Sequence, residues 1–351
     1  ARLYEMPEEA NTKMIMKANS GQDPIRYLDF KENPSAVNPP WGYVYSANNQ
    51  PDSVSGLKIP GYYLPENRAK RIVELLEPKS DWDRESVAEM ILDVTSSVNP
   101  TIAKELVRLV QDEDLDEAQL GMINKLATWD GNTELTSTEA PLFHRWMYYF
   151  LKKTLEDELG EELFNQVLAT HFFKRTMAPL TQNDNSVWWD NVNTDGTEET
   201  RAEIALRSFQ VAWSSLEADL GIDTASWTWD RLHILEHEHP IGQVPSMRDF
   251  FNVGPFPVHG TQEVINNLMF NYGDDNLFSV KAGPSTRRII DFSDIENSMS
   301  ILPTGQSGNP LSDHYEDQAE MYVNGQFRKM MMNKKEIQNK TKSVLNFKPV
   351  K

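Results

Sequence analysis

The spacing of apolar residues changes character twice along the chain, and that change restricts the architecture more than any other feature. From Glu66 onward Ala69, Ile72, Val73, Leu75 and Leu76 recur at the spacing of one helical face, and Pro78 ends the run. Ser80 followed by Asp83 predicts a capped start to a second helix, whose face is Val87, Met90, Ile91 and Val94. Leu142, Phe143, Trp146, Met147, Phe150 and Leu151 form another stripe, as do Ala202, Ile204, Ala205, Phe209, Ala212 and Leu216. Aromatic and Met side chains at this spacing predict core packing rather than cofactor contact.

On either side the helical signal is missing. Residues 1–65 are rich in Pro, Gly, Asn and Tyr, with short apolar runs such as 42–46, and read as loops and strands. After Trp227 short β-type runs, 288–292 and 343–347, sit between Gly, Pro and Asn turns. The expected fold class is α+β, in one compact unit over 1–351. It has a strand and loop region (1–65), a large helical middle section (66–222) and a strand-rich region (223–351).

Charge narrows the partners. The chain carries 34 Lys and Arg against 53 Asp and Glu, a formal net charge of −19. Nucleic acid and anionic membrane surfaces both need a basic footprint, so neither is expected as a partner. The Lys-rich tail from Lys334 reads as a solvated face. Cysteine is absent, which removes thiolate metal sites and Cys nucleophiles. No run of about 18 apolar residues occurs, so no helical membrane insertion is expected. The first residues, Ala1-Arg2-Leu3-Tyr4-Glu5, do not form a signal peptide.

Three chemistries compete for the polar residues. His233-Ile234-Leu235-Glu236-His237 fits H-x-x-E-H, which on a helix would set His233 and His237 on one face for zinc with Glu236 as base. Pro240 and the β-favouring Trp227-Thr228-Trp229 argue against a helix there. Gly305-Gln306-Ser307-Gly308 has part of a nucleophile elbow but lacks the second required glycine, and His314 lies near Asp313 and Asp317. No phosphate-binding glycine loop is present. The third candidate is the turn Ser46-Ala47-Asn48-Asn49-Gln50-Pro51. Adjacent Asn residues commonly close a local turn, while an Asn held at a strand end also supplies an N–H donor to a developing oxyanion.

A set of blocks in fixed order resembles the C-terminal two-thirds of the β subunit of penicillin acylases, which are N-terminal-nucleophile (Ntn) amidohydrolases. They are Ser20-Gly21-Gln22-Asp23-Pro24, Asn38-Pro39, Ala47-Asn48-Asn49-Gln50-Pro51, Asn67-Arg68-Ala69-Lys70-Arg71-Ile72, Trp129-Asp130-Gly131, Trp227-Thr228-Trp229 with His233 and His239-Pro240, and Pro284-Ser285-Thr286-Arg287. The longest is Gly305-Gln306-Ser307-Gly308-Asn309-Pro310-Leu311-Ser312-Asp313-His314-Tyr315-Glu316-Asp317-Gln318.

The resemblance implies part of an αββα sandwich in which an N-terminal Ser, freed by autoproteolysis, attacks a linear amide with its own α-amino group as base. It implies that Asn48 is half of the oxyanion hole and Arg68 an active-site support. Asn49, Gln306, Ser307, His314, Tyr315 and Asp317 are implied as a structural network. It implies a structural calcium touching the Pro24 carbonyl, although residues 53–64 contain no carboxylate to match the family's Asp ligand, and no cofactor is required. It further implies a periplasmic or secreted protein, partnered by the α subunit and the rest of the β subunit, acting on a small-molecule amide. No nucleophile segment precedes Ser20, so this sequence reads as a C-terminal fragment, inactive alone. Two other functions remain open at this point: a degenerate relative acting as a binding or scaffold module, and a zinc hydrolase using His233 and His237.

Overall fold

The computed structural model describes residues 3–12, 14–51, 57, 59–273 and 278–349; Ala1, Lys351 and part of the segment between Asn48 and Arg68 (52–56 and 58) lie outside them. The helical stripes form helices. They are α1 (Asn67–Leu76), α2 (Arg84–Ile91), α3 (Asn99–Val110), α4 (Glu117–Thr128), α5 (Glu139–Leu168), α6 (Phe172–Thr181) and α7 (Arg201–Leu220).

The α2 cap is Asp83, not Ser80. A capping box needs a helical residue three positions after the cap, and Asp83 is extended (φ −123°, ψ −178°), so it cannot serve Ser80. Instead its own carboxylate accepts from the Ser86 N–H at 2.8 Å, while Ser86 Oγ accepts from the Asp83 N–H at 3.0 Å. Helix α5 breaks at Gly160 (φ 73°, ψ 158°), a conformation that suits a residue without Cβ.

Helices α5 and α7 lie against each other and build the main core. Leu142, Phe143, Trp146 and Phe150 are fully buried, as are Ala205, Phe209 and Ala212. Trp146 Nε1 donates to the Ala205 carbonyl at 3.0 Å, so its one polar atom is satisfied inside. Ile102 and Leu106 of α3 and Ile123 and Leu126 of α4 extend the same core. At about 1.5–3 kcal/mol for each large side chain removed from water, this layer dominates the stability of the molecule.

The strands are short and all antiparallel. β1 (Tyr4–Glu5) pairs with β2 (Arg26–Tyr27), β3 (Ile234–His237) with β4 (Val253–Pro257), and β5 (Met269–Phe270) with β6 (Val280–Ala282). β7 (Arg287–Ile289), β8 (Met299–Ile301) and β9 (Arg328–Lys329) form a three-stranded sheet. Short helices α8 (Arg248–Phe251), α9 (Ala319–Val323) and α10 (Lys334–Lys340) complete the chain. Leu235, Val258, Leu268, Ile301 and Tyr322 make a second, smaller core between these pieces. Helices and antiparallel sheets thus coexist, as the α+β expectation holds.

Three expected strands differ. Among the described residues the run 42–46 has no ladder partner, and Val44 and Tyr45 are exposed; a strand needs paired backbone groups to exist as one. The run 343–347 is likewise unpaired, with Val344, Leu345 and Phe347 exposed. In 288–292 pairing stops at Ile289, and Phe292 faces solvent. Trp227 and Trp229 are wholly buried in a turn of 3-10 type, not in a strand, with their indole N–H groups donating to the carbonyls of Gly221 and Gly260 at 2.8 and 2.9 Å.

Candidate active site

Asn48 sits at the exposed tip of the turn with φ +62°, a left-handed conformation that Asn adopts more readily than most residues. Several bonds hold the turn. The Asn49 Oδ1 accepts from the Ala47 N–H at 3.1 Å, the Asn48 carbonyl accepts from the Leu64 N–H at 2.9 Å, and Gln50 Nε2 donates to the Ile59 carbonyl at 2.8 Å. The last two tie the turn to the segment that leads into α1.

That segment delivers Arg68, the second residue of α1. Its Nη2 donates both to the Ala47 carbonyl, at 2.9 Å, and to Asn48 Oδ1, at 2.8 Å. A guanidinium has only donors, so the group facing it must be the amide oxygen. The orientation of the Asn48 amide is therefore set: Nδ2 points away from Arg68, and it makes no hydrogen bond among the described residues. The result is an exposed, neutral N–H donor fixed at both backbone and side chain, with a cation behind it that polarises it further.

The block around 305–318 is a separate loop. The Ser307 N–H donates to the His314 carbonyl at 3.0 Å, closing it. Gly305 is required there because a Cβ would come within 1.9 Å of the His314 carbonyl oxygen. His314 Nδ1 lies 2.9 Å from Asp317 Oδ2, Arg328 approaches the same carboxylate at 3.7 Å, and the Tyr315 hydroxyl donates to the Phe251 carbonyl. Ser307 Oγ accepts from the Asn309 N–H at 3.1 Å rather than meeting the His314 ring, so no triad forms. Gln306 is exposed. Among the described residues no hydrogen bond links this loop to Asn48 or Arg68.

The zinc arrangement is overturned. His233 precedes, and Ile234, Leu235, Glu236 and His237 form, strand β3 rather than a helix. A strand rise of about 3.3 Å per residue sets positions four apart roughly 13 Å from each other, too far for one ion. His233 is fully buried, and its Nδ1–H donates to the Phe278 carbonyl at 2.6 Å. Glu236, the supposed base, is held by Arg248 Nε at 2.9 Å, and that bond keeps its carboxyl below the usual range.

Pro24 is exposed beside β2, and among the described residues no group of three or more His, Asp or Glu is gathered to hold a metal ion. Calcium takes six to eight oxygens. Among the described residues no such set surrounds Pro24.

Sequence reasoning did not single out His144, which lies inside the α5 stripe. Its ring stacks on Trp229 with centroids 5.1 Å apart, and Trp229 stacks in turn on His233 at 4.9 Å. His144 Nδ1 lies 2.9 Å from the Tyr272 hydroxyl. Burial pushes His144 down to about 3 and His233 down to about 4, so both are neutral inside the core. A His in an otherwise apolar helical stripe was the available signal.

The α+β fold matches what is found in known proteins. The solved structure of penicillin G acylase from Alcaligenes faecalis superposes on all of this chain and on 65% of its own, with a TM-score of 0.59 at 17% identity, a likeness of fold. The family model described as penicillin amidase matches residues 1–339, and the chain belongs to that family. It is 27% identical over 335 residues to the acyl-homoserine lactone acylase QuiP of Pseudomonas aeruginosa, covering 86% of this chain and 39% of that protein. To the penicillin acylase 2 proenzyme of a Pseudomonas species it is 24% identical over 332 residues, covering 91% of this chain and 40% of that protein. The chain thus spans about two fifths of the length of the curated relatives it matches.

Proposed function

We propose that this chain supplies the oxyanion donor of an amidohydrolase that cleaves linear N-acyl amides. The acyl group would pass to an N-terminal Ser outside these residues and then to water. The observation that carries this reading is the bond from Arg68 to Asn48 Oδ1, because it leaves the amide Nδ2 facing outward as a fixed donor. As the substrate carbonyl becomes tetrahedral, its oxygen gains charge. A preorganised neutral N–H stabilises that charge without raising or lowering the pKa of a nearby amine as a charged group would. Arg68 acts through Asn48 and is a positioning residue.

The names of the relatives support an acyl amide such as an acyl-homoserine lactone or a penicillin side chain as substrate. Their greater length supports the rest of the family sequence, α subunit included, as the source of the nucleophile and acyl pocket. On this reading the chain alone is inactive, the complete enzyme needs no cofactor, and it works in the periplasm or outside the cell.

The test is to incubate the full-length protein with an activated N-acyl amide and map the trapped acyl group by mass spectrometry. Acylation of an N-terminal Ser outside residues 1–351, with no turnover by this chain alone, is the expected result. Acyl transfer to a residue of this chain, or none at all, would replace the reading with a different nucleophile or a non-catalytic relative.

A further inference from the structure

The segment 59–66, which leads into α1, is tied to the Asn48 turn near both of its ends. Gln50 Nε2 donates to the Ile59 carbonyl, and the Leu64 N–H donates to the Asn48 carbonyl. Arg68 then adds its bond to Asn48 Oδ1. Downstream, α1 is anchored to the molecule by Arg71, whose Nη2 lies 2.6 Å from Asp93 Oδ2. Upstream of α1, no hydrogen bond or ion pair joins 59–66 to helices α2–α7 among the described residues.

A ring stack joins them instead. Arg175 of α6 lays its guanidinium over the Tyr62 ring, 4.0 Å from the centroid. Arg175 Nε and Nη2 are shut off from water and have no hydrogen-bond partner among the described residues. A partly desolvated guanidinium without such partners gains from the negative face of an aromatic ring, and its flat shape suits stacking there. Tyr62 is half exposed and its hydroxyl makes no hydrogen bond among the described residues, so the ring face is its contribution.

We infer that Arg175 and Tyr62 are positioning residues for the oxyanion donor: their stack pins the middle of 59–66 to the helical core, so that Ile59, Leu64 and Arg68 meet the Asn48 turn in register. The inference rests on the oxyanion reading of Asn48. Among the described residues neither side chain bonds to Asn48, and both act through the segment between Ile59 and Arg68. A displaced donor loses transition-state stabilisation while ground-state binding is little changed, so the stack acts on kcat.

The test is steady-state hydrolysis of an N-acyl-4-nitroanilide by the full-length, processed enzyme. Tyr62→Ala should lower kcat roughly three- to tenfold, the range of one partly desolvated cation–π contact, with KM little changed. Tyr62→Leu, which keeps apolar bulk without a ring face, should lose as much, while Tyr62→Phe should restore kcat. Arg175→Ala should match Tyr62→Ala, and the double variant should fall no further. In the Asn48→Gly background, Tyr62→Ala should leave kcat where Asn48→Gly alone put it. A large loss in Asn48→Gly with unchanged kcat in Tyr62→Ala overturns this inference alone. So does a fall from Tyr62→Ala of equal size in the Asn48→Gly background, or a raised KM with kcat intact. Unchanged kcat in Asn48→Gly itself overturns the oxyanion reading and this inference with it.

Discussion

Arg68 Nη2 reaches Asn48 Oδ1 at 2.8 Å and the Ala47 carbonyl at 2.9 Å, so one side chain fixes both the amide and the backbone of the turn that bears it. Loss of Arg68 frees the amide to rotate. Arg68→Ala in the full-length enzyme should lower kcat roughly 10- to 100-fold, in line with a charged hydrogen bond of about 1.5–3 kcal/mol, while KM moves little. Steady-state kinetics read this. An equal fall in substrate binding alone would assign Arg68 to ground-state contact.

Backbone conformation at Asn48 separates strain from chemistry. At φ +62° a residue with a Cβ and no locally bonding side chain costs about 1 kcal/mol, while Gly is free of that cost. Asn48→Ala should therefore unfold at lower urea than Asn48→Gly, by about 1 kcal/mol in the unfolding free energy. Equal stability would show that the turn relaxes.

Acid should destabilise the core through the His144–Trp229–His233 stack. Both histidines have folded values below the ordinary value near 6.5, at about 3 and about 4. Between those limits the unfolded chain binds protons that the folded chain excludes, so stability is full above about pH 6.5 and falls as pH drops toward 4. The slope is about 1.4 kcal/mol per pH unit for each histidine. Urea unfolding between pH 7 and pH 5 measures it, and a flat profile would contradict neutral burial of the pair.

Gly305 sets the signature loop. Its Cβ would lie 1.9 Å from the His314 carbonyl oxygen, so Gly305→Ala must open the loop and lose the Ser307-to-His314 bond. A loss of about 1–3 kcal/mol in unfolding free energy is expected, as for other overpacked sites. A wild-type unfolding midpoint in Gly305→Ala would mean that the loop accommodates the methyl group.

Helices were legible in the sequence because each buries one face, and a face at helical spacing survives in one dimension: Phe143, Trp146 and Phe150 announce α5 by themselves. Strands two to five residues long carry too few positions for a period, so 42–46 and 343–347 looked like strands and are not. The turn at Asn48 was legible as one candidate donor from its adjacent Asn residues, and became the preferred one only with the family blocks. What the sequence could not show was the bond from Arg68, twenty residues away, since that depends on how the chain returns to start α1. The contact of Arg175 with Tyr62 and the His144–Trp229–His233 stack are likewise products of tertiary packing between residues far apart in the chain.

The account stands or falls on the Asn48 amide as an oxyanion donor. Its most direct test is kcat of the Asn48→Gly variant in the complete, processed enzyme, because Gly removes the amide without backbone strain. A loss of roughly 100- to 1,000-fold with folding intact is the predicted result. Turnover within a factor of about two of wild type, too little to represent the loss of one oxyanion donor, would contradict it.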